Sequence, residues 1–356
     1  MQLAAAVLAV CAARAQATQD ARPPAAPSVT AITLRVGDPA PRLDIAKWIK
    51  GDEVAEFQRG RVYIVEFWAT WCGPCVQSMP HLSAAQREYS NQGLTVIGIT
   101  SADKHGNTLE AAERMIAAKG ELADYAIAFD NERITNNLWM RAAGATTIPQ
   151  AFVVDREGRI AFIDNPAFLD DPLEQIVSDT WDIEKGTAAL KEAHDALTAT
   201  MAKVQESDAA GLAAFAEFEA GHPRLARQLD STRIDLALRA GDASTVQMIA
   251  ARWMETAIAH RNYDDLVVLA RKIVDPVAKI EHRDLDLALR IANRARELTA
   301  DKHAGVFDVL ALIHSWKGDL AQAIELQTRA VALVQSLQKP LFEMRLAEYK
   351  LKAGVK

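Results

Sequence analysis

The sequence predicts an α/β domain built on a mixed sheet, followed by an all-α run of helical hairpins. Apolar segments of strand length alternate with amphipathic helical stretches as far as about Ile163. A turn signal, Asp155-Arg156-Glu157-Gly158, then joins the last two strand-like runs, so the sheet closes on a hairpin. Beyond about Ile183 the strand signals stop, and Ala, Leu, Arg and Glu recur at helical spacing. With 356 residues, half of them apolar, the chain exceeds a typical single core and suits two domains, expected at 32–183 and 184–356.

In chain order, Leu3 to Val10 is a short apolar stretch followed by Ala13-Arg14-Ala15 and Ala15-Gln16-Ala17. These small-x-small patterns suit a cleavage site, so residues 1–17 are expected to be a signal peptide, too short to span a bilayer. Cys11 invites a lipid anchor, but Val10 precedes it where a small residue is expected, which favours a soluble, exported chain. Residues 18–31, with Pro23, Pro24 and Pro27, read as an extended linker. Arg61 to Ala69, Leu94 to Thr100, Tyr125 to Phe129, Ala151 to Val154 and Ile160 to Ile163 are strand-like. Gly73 to Tyr89, Thr108 to Lys119 and Asn131 to Ala143 read as helices.

The run from Val62 to Cys75 delivers two cysteines from the end of an apolar strand into the start of a helix. Two residues between them bring both sulfurs within reach of one disulfide. A first cysteine at a helix N-terminus also feels the partial positive charge of unpaired backbone N–H groups, which favours thiolate. Half a zinc site is the rival reading, but no second CxxC and no His pair at ligand spacing accompany it. The chain has three cysteines. If the signal is removed beyond Cys11, only Cys72 and Cys75 remain, and the one available pair must be the functional one.

Four separated pieces resemble the thioredoxin superfamily, in particular the exported TlpA/ResA-like thiol-disulfide oxidoreductases. They are Val36-Gly37-Asp38-Pro39-Ala40-Pro41, Glu66-Phe67-Trp68-Ala69-Thr70-Trp71-Cys72-Gly73-Pro74-Cys75, Leu94-Thr95-Val96-Ile97-Gly98-Ile99, and Thr146-Thr147-Ile148-Pro149-Gln150-Ala151-Phe152-Val153-Val154-Asp155. The resemblance covers about residues 32 to 183 and implies a thioredoxin-like fold. It implies that Cys72 attacks a client disulfide and that Cys75 resolves the mixed disulfide. Glu66, six residues before Cys72, stands where thioredoxins bury an acid that accepts the Cys75 proton. Ile148-Pro149 matches the family's cis-proline edge, which receives an incoming peptide. Trp71 is expected to cover the disulfide, Gly73 and Pro74 to set the turn, and Pro80 to kink the helix.

No flavin, nicotinamide or metal site accompanies these residues, so no cofactor is expected. The resemblance therefore implies a membrane electron-transfer partner that resets the dithiol, and disulfide-containing proteins as substrates. A peroxiredoxin is excluded because Val65 and Ala69 stand where it needs Pro and Thr. The formal charge of −7 gives no electrostatic basis for binding nucleic acid. The eight histidines are scattered, mostly on helices, and read as satisfied or solvent-facing.

The helical half is broken at Gly221-His222-Pro223, Gly241-Asp242, Asn262, Asp275-Pro276 and Gly318-Asp319. Its clearest unit, Ala304 to Ser336, resembles one tetratricopeptide repeat, with small Ala311, Ala323 and Ala330 where paired helices approach. A true solenoid and an irregular bundle both fit the rest. Such a region offers a surface for a protein partner. It leaves open the reading of an interaction scaffold whose redox domain is auxiliary.

Overall fold

The computed structural model describes residues 32–119, 123–259, 261–334 and 339–354. The expected signal peptide, Cys11 and the linker lie outside the described residues. Six strands, β1 (Ile45–Lys50), β2 (Val62–Trp68), β3 (Leu94–Thr100), β4 (Ala126–Asp130), β5 (Gln150–Val154) and β6 (Ile160–Asp164), form one sheet in the order β1-β4-β3-β2-β5-β6. The central strands β2, β3 and β4 run parallel, while β1, β5 and β6 pair antiparallel. The sheet is therefore mixed, with β2 in its interior.

β2 is buried at every position because both faces of the sheet are covered. On one face Val62, Ile64 and Trp68 pack with helices α1 (Gly73–Tyr89), α2 (Leu109–Lys119) and α4 (Asp170–Val177). On the other, Tyr63, Val65 and Phe67 meet Leu34, Trp139 and Met140. This alternation fixes which β2 side chains can face α1.

Two elements differ from the sequence expectation. β1 was not expected: it is a half-exposed edge strand whose lysines blunt its pattern, and its pairing with β4 is interrupted by register shifts. Asn131 to Ala143 is not one helix. Arg133 takes a left-handed conformation, and α3 starts at Ile134 and passes into a π turn over Asn137–Arg141. The Ala142 N–H donates to the Asn137 carbonyl across the wider turn, which carries Trp139 fully into the core against Phe57 and Phe152.

From Ile183 the described chain is helical: α5 (Ile183–Glu206), α6 (Asp208–Gly221), α7 (Pro223–Gln228), α8 (Asp230–Ala240), α9 (Ala243–Ala259), α10 (Tyr263–Ile273), α11 (Leu285–Leu298), α12 (Ala304–Trp316), α13 (Leu320–Leu333) and α14 (Lys339–Lys352). Asp182, Ser207, Asn262, Asp284 and Asp319 each accept a backbone N–H and cap the helix that follows. The α12–α13 hairpin turns at Lys317-Gly318-Asp319 with Gly318 at φ +80, and its Ala311, Ala323 and Ala330 are fully buried. Buried Asp308 on α12 takes Arg271, Arg345 and the Gln327 amide, tying α10, α13 and α14 to it.

The first helix of this array docks on the sheet domain. Trp181 donates to the Ala161 carbonyl at 3.1 Å, His194 meets Asp164 at 2.6 Å, and its ring stacks on Phe168. The Trp181 ring lies over Gly186, where a Cβ would fall 2.0 Å from the indole edge. In a free helix Gly to Ala is stabilising by about 1 kcal/mol. Here Gly186→Ala is expected to destabilise by about 1–3 kcal/mol through overpacking, read as a lowered urea midpoint. A raised midpoint would show that Trp181 swings away freely.

Candidate active site

Past the end of β2 at Trp68, the turn Ala69-Thr70-Trp71 hands the chain to α1 at Cys72, the N-cap residue of that helix. The backbone there is extended, and the Cys72 Sγ accepts the Cys75 N–H at 3.2 Å. Pro74 sits in the first turn, where no intrahelical N–H is needed. Cys72 and Cys75 are joined, Sγ to Sγ at 2.05 Å and Cα to Cα at 5.3 Å. A thiolate released at Cys72 would keep the helix N-terminal amides as its counter-charge. Cys72 retains 4% exposure and Cys75 none, so of the pair Cys72 is the one that touches solvent. Pro80 lies inside α1, which runs on to Tyr89; without its N–H the Val76 carbonyl lacks its usual helical partner.

Glu66 faces the same side of β2 as Ile64 and Trp68, the side that Cys72, Cys75 and Met79 cover. Its register partners are Gly98 on β3 and Ala151 on β5, two small residues that leave room for a carboxyl. The side chain is fully buried and neither oxygen has a hydrogen-bond partner. Burial pushes its pKa up to about 8, so at neutral pH the carboxyl holds its proton.

The rim comes from loops. Trp71 is half exposed and its indole N–H donates to Asp103 at 2.7 Å, with the His105 ring edge-on at 5.3 Å. Fully buried Asn107 ties this loop down: its oxygen accepts the Thr70 N–H, and its amide donates to Thr100 and the Ser101 carbonyl. Ile148-Pro149 is a cis peptide, Pro149 is buried, and Ile148 packs against the cores on both sides of the sheet. Sequence reasoning missed Asp103, Asn107 and Tyr125. For Asn107 the signal was a polar loop, Ser101 to Asn107, directly after a strand in line with the CxxC strand. A cavity of about 490 Å³ lies elsewhere, between α1 and the helical array, lined by His81, Arg224, Arg252 and Trp253; none of the CxxC residues borders it. Thiol exchange needs an accessible sulfur edge, not an enclosed pocket, so this cavity is not the redox site.

A thioredoxin-like sheet with a CxxC disulfide at this strand-to-helix junction is the architecture of the thiol-disulfide oxidoreductases. The comparisons find relatives of that class. Residues 35–177 match the Redoxin family. The chain is 29% identical over 154 residues to Protein FixW of Rhizobium leguminosarum, covering 42% of this chain and 70% of that one. It is 25% identical over 129 residues to thiol-disulfide oxidoreductase ResA of Bacillus thuringiensis subsp. konkukian, covering 36% and 68%. Among solved structures it is similar to a thiol-disulfide isomerase from Corynebacterium glutamicum, 24% identical over 41% of this chain and 97% of that one, with a TM-score of 0.35.

Proposed function

We infer that the Cys72–Cys75 pair is the working dithiol and that the chain reduces protein disulfides outside the cytoplasm. The observation that carries this reading is the CxxC disulfide capping α1, with the buried, protonated Glu66 on the strand face beneath it. In client reduction, the Cys72 thiolate attacks a client sulfur and one client cysteine leaves as thiolate. Cys75 then gives its proton to the Glu66 carboxylate and attacks Cys72, which releases the second client thiolate and leaves the Cys72–Cys75 disulfide. The client gains two electrons and the domain loses them.

Resetting runs the same path backwards. An incoming thiolate from the membrane electron-transfer partner attacks Cys72, Cys75 leaves, and the Glu66 carboxyl supplies its proton. The protonated acid of the oxidised state is therefore set for the leaving group. Ile148 and Pro149 receive the client backbone, and Trp71, Gly73 and Pro74 shape the edge at which it arrives. An exported setting, periplasmic or cell-envelope, fits a pair that passes through a disulfide in every cycle. Among the described residues no helix is long and apolar enough to cross a membrane. The tetratricopeptide-like helices of residues 184–356 form a second unit that holds a protein partner.

The reduction potential of the Cys72–Cys75 pair, read against a glutathione series, tests the direction of this cycle. A value near about −270 mV, as in thioredoxin, supports a reductant; one near about −120 mV, as in a strong periplasmic oxidant, reverses the assignment.

A further inference from the structure

Glu66 is not alone in lacking a partner. The Trp68 Nε1 and the Tyr125 hydroxyl are buried without a hydrogen bond as well. All three belong to one place. Glu66 and Trp68 are two apart on β2 and so share a face; Tyr125 directly precedes β4 and lies in the same core cluster. Gly98, the register partner of Glu66, is where they meet. A Cβ there would lie 3.1 Å from Tyr125 Cε2, 3.3 Å from Trp68 Nε1 and 2.9 Å from Ile127 Cδ1. The space that glycine leaves open is filled by the edges of a phenol and an indole, each carrying a donor. Burial raises the Tyr125 pKa well above its ordinary value, and the charge of Glu66 adds to that rise.

Resting on the proton role of Glu66 given above, we propose that Tyr125, with Trp68, is a positioning residue: its hydroxyl holds the Glu66 carboxylate while the proton resides on Cys75. In the oxidised state the acid is neutral and two donors stand idle beside it. Once Glu66 has passed its proton to the departing Cys75 sulfur, an apolar pocket holds a carboxylate. Shifts of the carboxylate, phenol and indole side chains then bring them within hydrogen-bond reach, so the cluster is unpaired in one half of the cycle and paired in the other. Among the described residues no cation performs that service. The groups that face Glu66 from packed elements are Cys72 and Cys75 on α1 and Tyr125 before β4; β3 offers Gly98 and β5 offers Ala151. On β1 the Lys50 amine is held at the Ala123 carbonyl, and on α1 His81 turns to Asp170.

Tyr125→Phe keeps the ring and deletes the donor, and Trp68→Phe is the second variant. In each full-length protein two pH titrations are compared with wild type. One is the infrared band of the protonated Glu66 carboxyl in the oxidised form. The other is the single-turnover release of a model peptide from a Cys72 mixed disulfide. A hydrogen bond to a charged group is worth about one pH unit or more, so Tyr125→Phe should move both inflections up by about one unit and slow release roughly tenfold below them. A merely structural tyrosine would lower the melting temperature and leave the inflections in place. Unmoved inflections in both variants overturn the positioning role. An inflection that survives in Glu66→Gln overturns the proton role of Glu66 itself, a distinct result.

Discussion

Replacing Cys72 by Ser should abolish disulfide exchange to the background rate, whereas replacing Cys75 by Ser should stop it half-way, with clients held covalently on Cys72. The asymmetry follows from position. Cys72 caps the helix at its N-terminal amides and retains 4% exposure; Cys75 lies one turn inward with none. In the reduced protein Cys72 should therefore alkylate first, with an apparent pKa below the ~8.5 of a free thiol. Mass spectrometry of adducts formed with a disulfide-bonded protein reads both arms. Adducts on Cys75 in the Cys72→Ser protein, or faster alkylation of Cys75, would reverse the two roles. The low exposure of Cys72 adds a further expectation: small alkylating reagents should outpace bulky ones at this sulfur.

How far the sequence carried this reading differs along the chain. β2 and α1 were legible because their determinants are local: an apolar run, a capping cysteine, a proline in the first turn. The helix junctions at Gly221-His222-Pro223, Gly241-Asp242, Asn262 and Gly318-Asp319 were visible for the same reason, through turn and cap chemistry. Those at Ser207 and Leu229 were not, since single residues interrupt otherwise helical sequence there.

Other features depend on which distant segments meet. β1 owes its existence to pairing with β4, and the π turn exists to bury Trp139 against Phe57 and Phe152. Spacing from Cys72 located Glu66, but nothing local revealed that Gly98 would sit opposite it or that Tyr125 would arrive from the turn before β4. A CxxC motif announces its chemistry in a few residues; the environment that tunes it is assembled from several strands.

Glu66→Gln should give a protein that turns over slowly and, above neutral pH, unfolds less readily. Gln keeps the shape of the side chain but neither accepts nor donates the Cys75 proton. Release of the mixed disulfide should slow by about 10²–10⁴-fold, and its pH inflection near 8 should vanish. The stability effect has a definite sign. The folded-state pKa of about 8 lies above the ordinary 4.5, so the folded protein binds this proton more tightly than the unfolded chain does. That contribution is present in full below pH 4.5 and is lost as the pH rises to 8. The slope is about 1.4 kcal/mol per pH unit, which sums to at most about 5 kcal/mol across the window. The Gln variant does not titrate, so the gap between the two proteins should open over that range in its favour. Urea unfolding of both oxidised proteins at a series of pH values measures it. A constant gap from pH 4.5 to 8 would mean that the carboxyl is already ionised in the folded protein, and water rather than Glu66 would then serve Cys75.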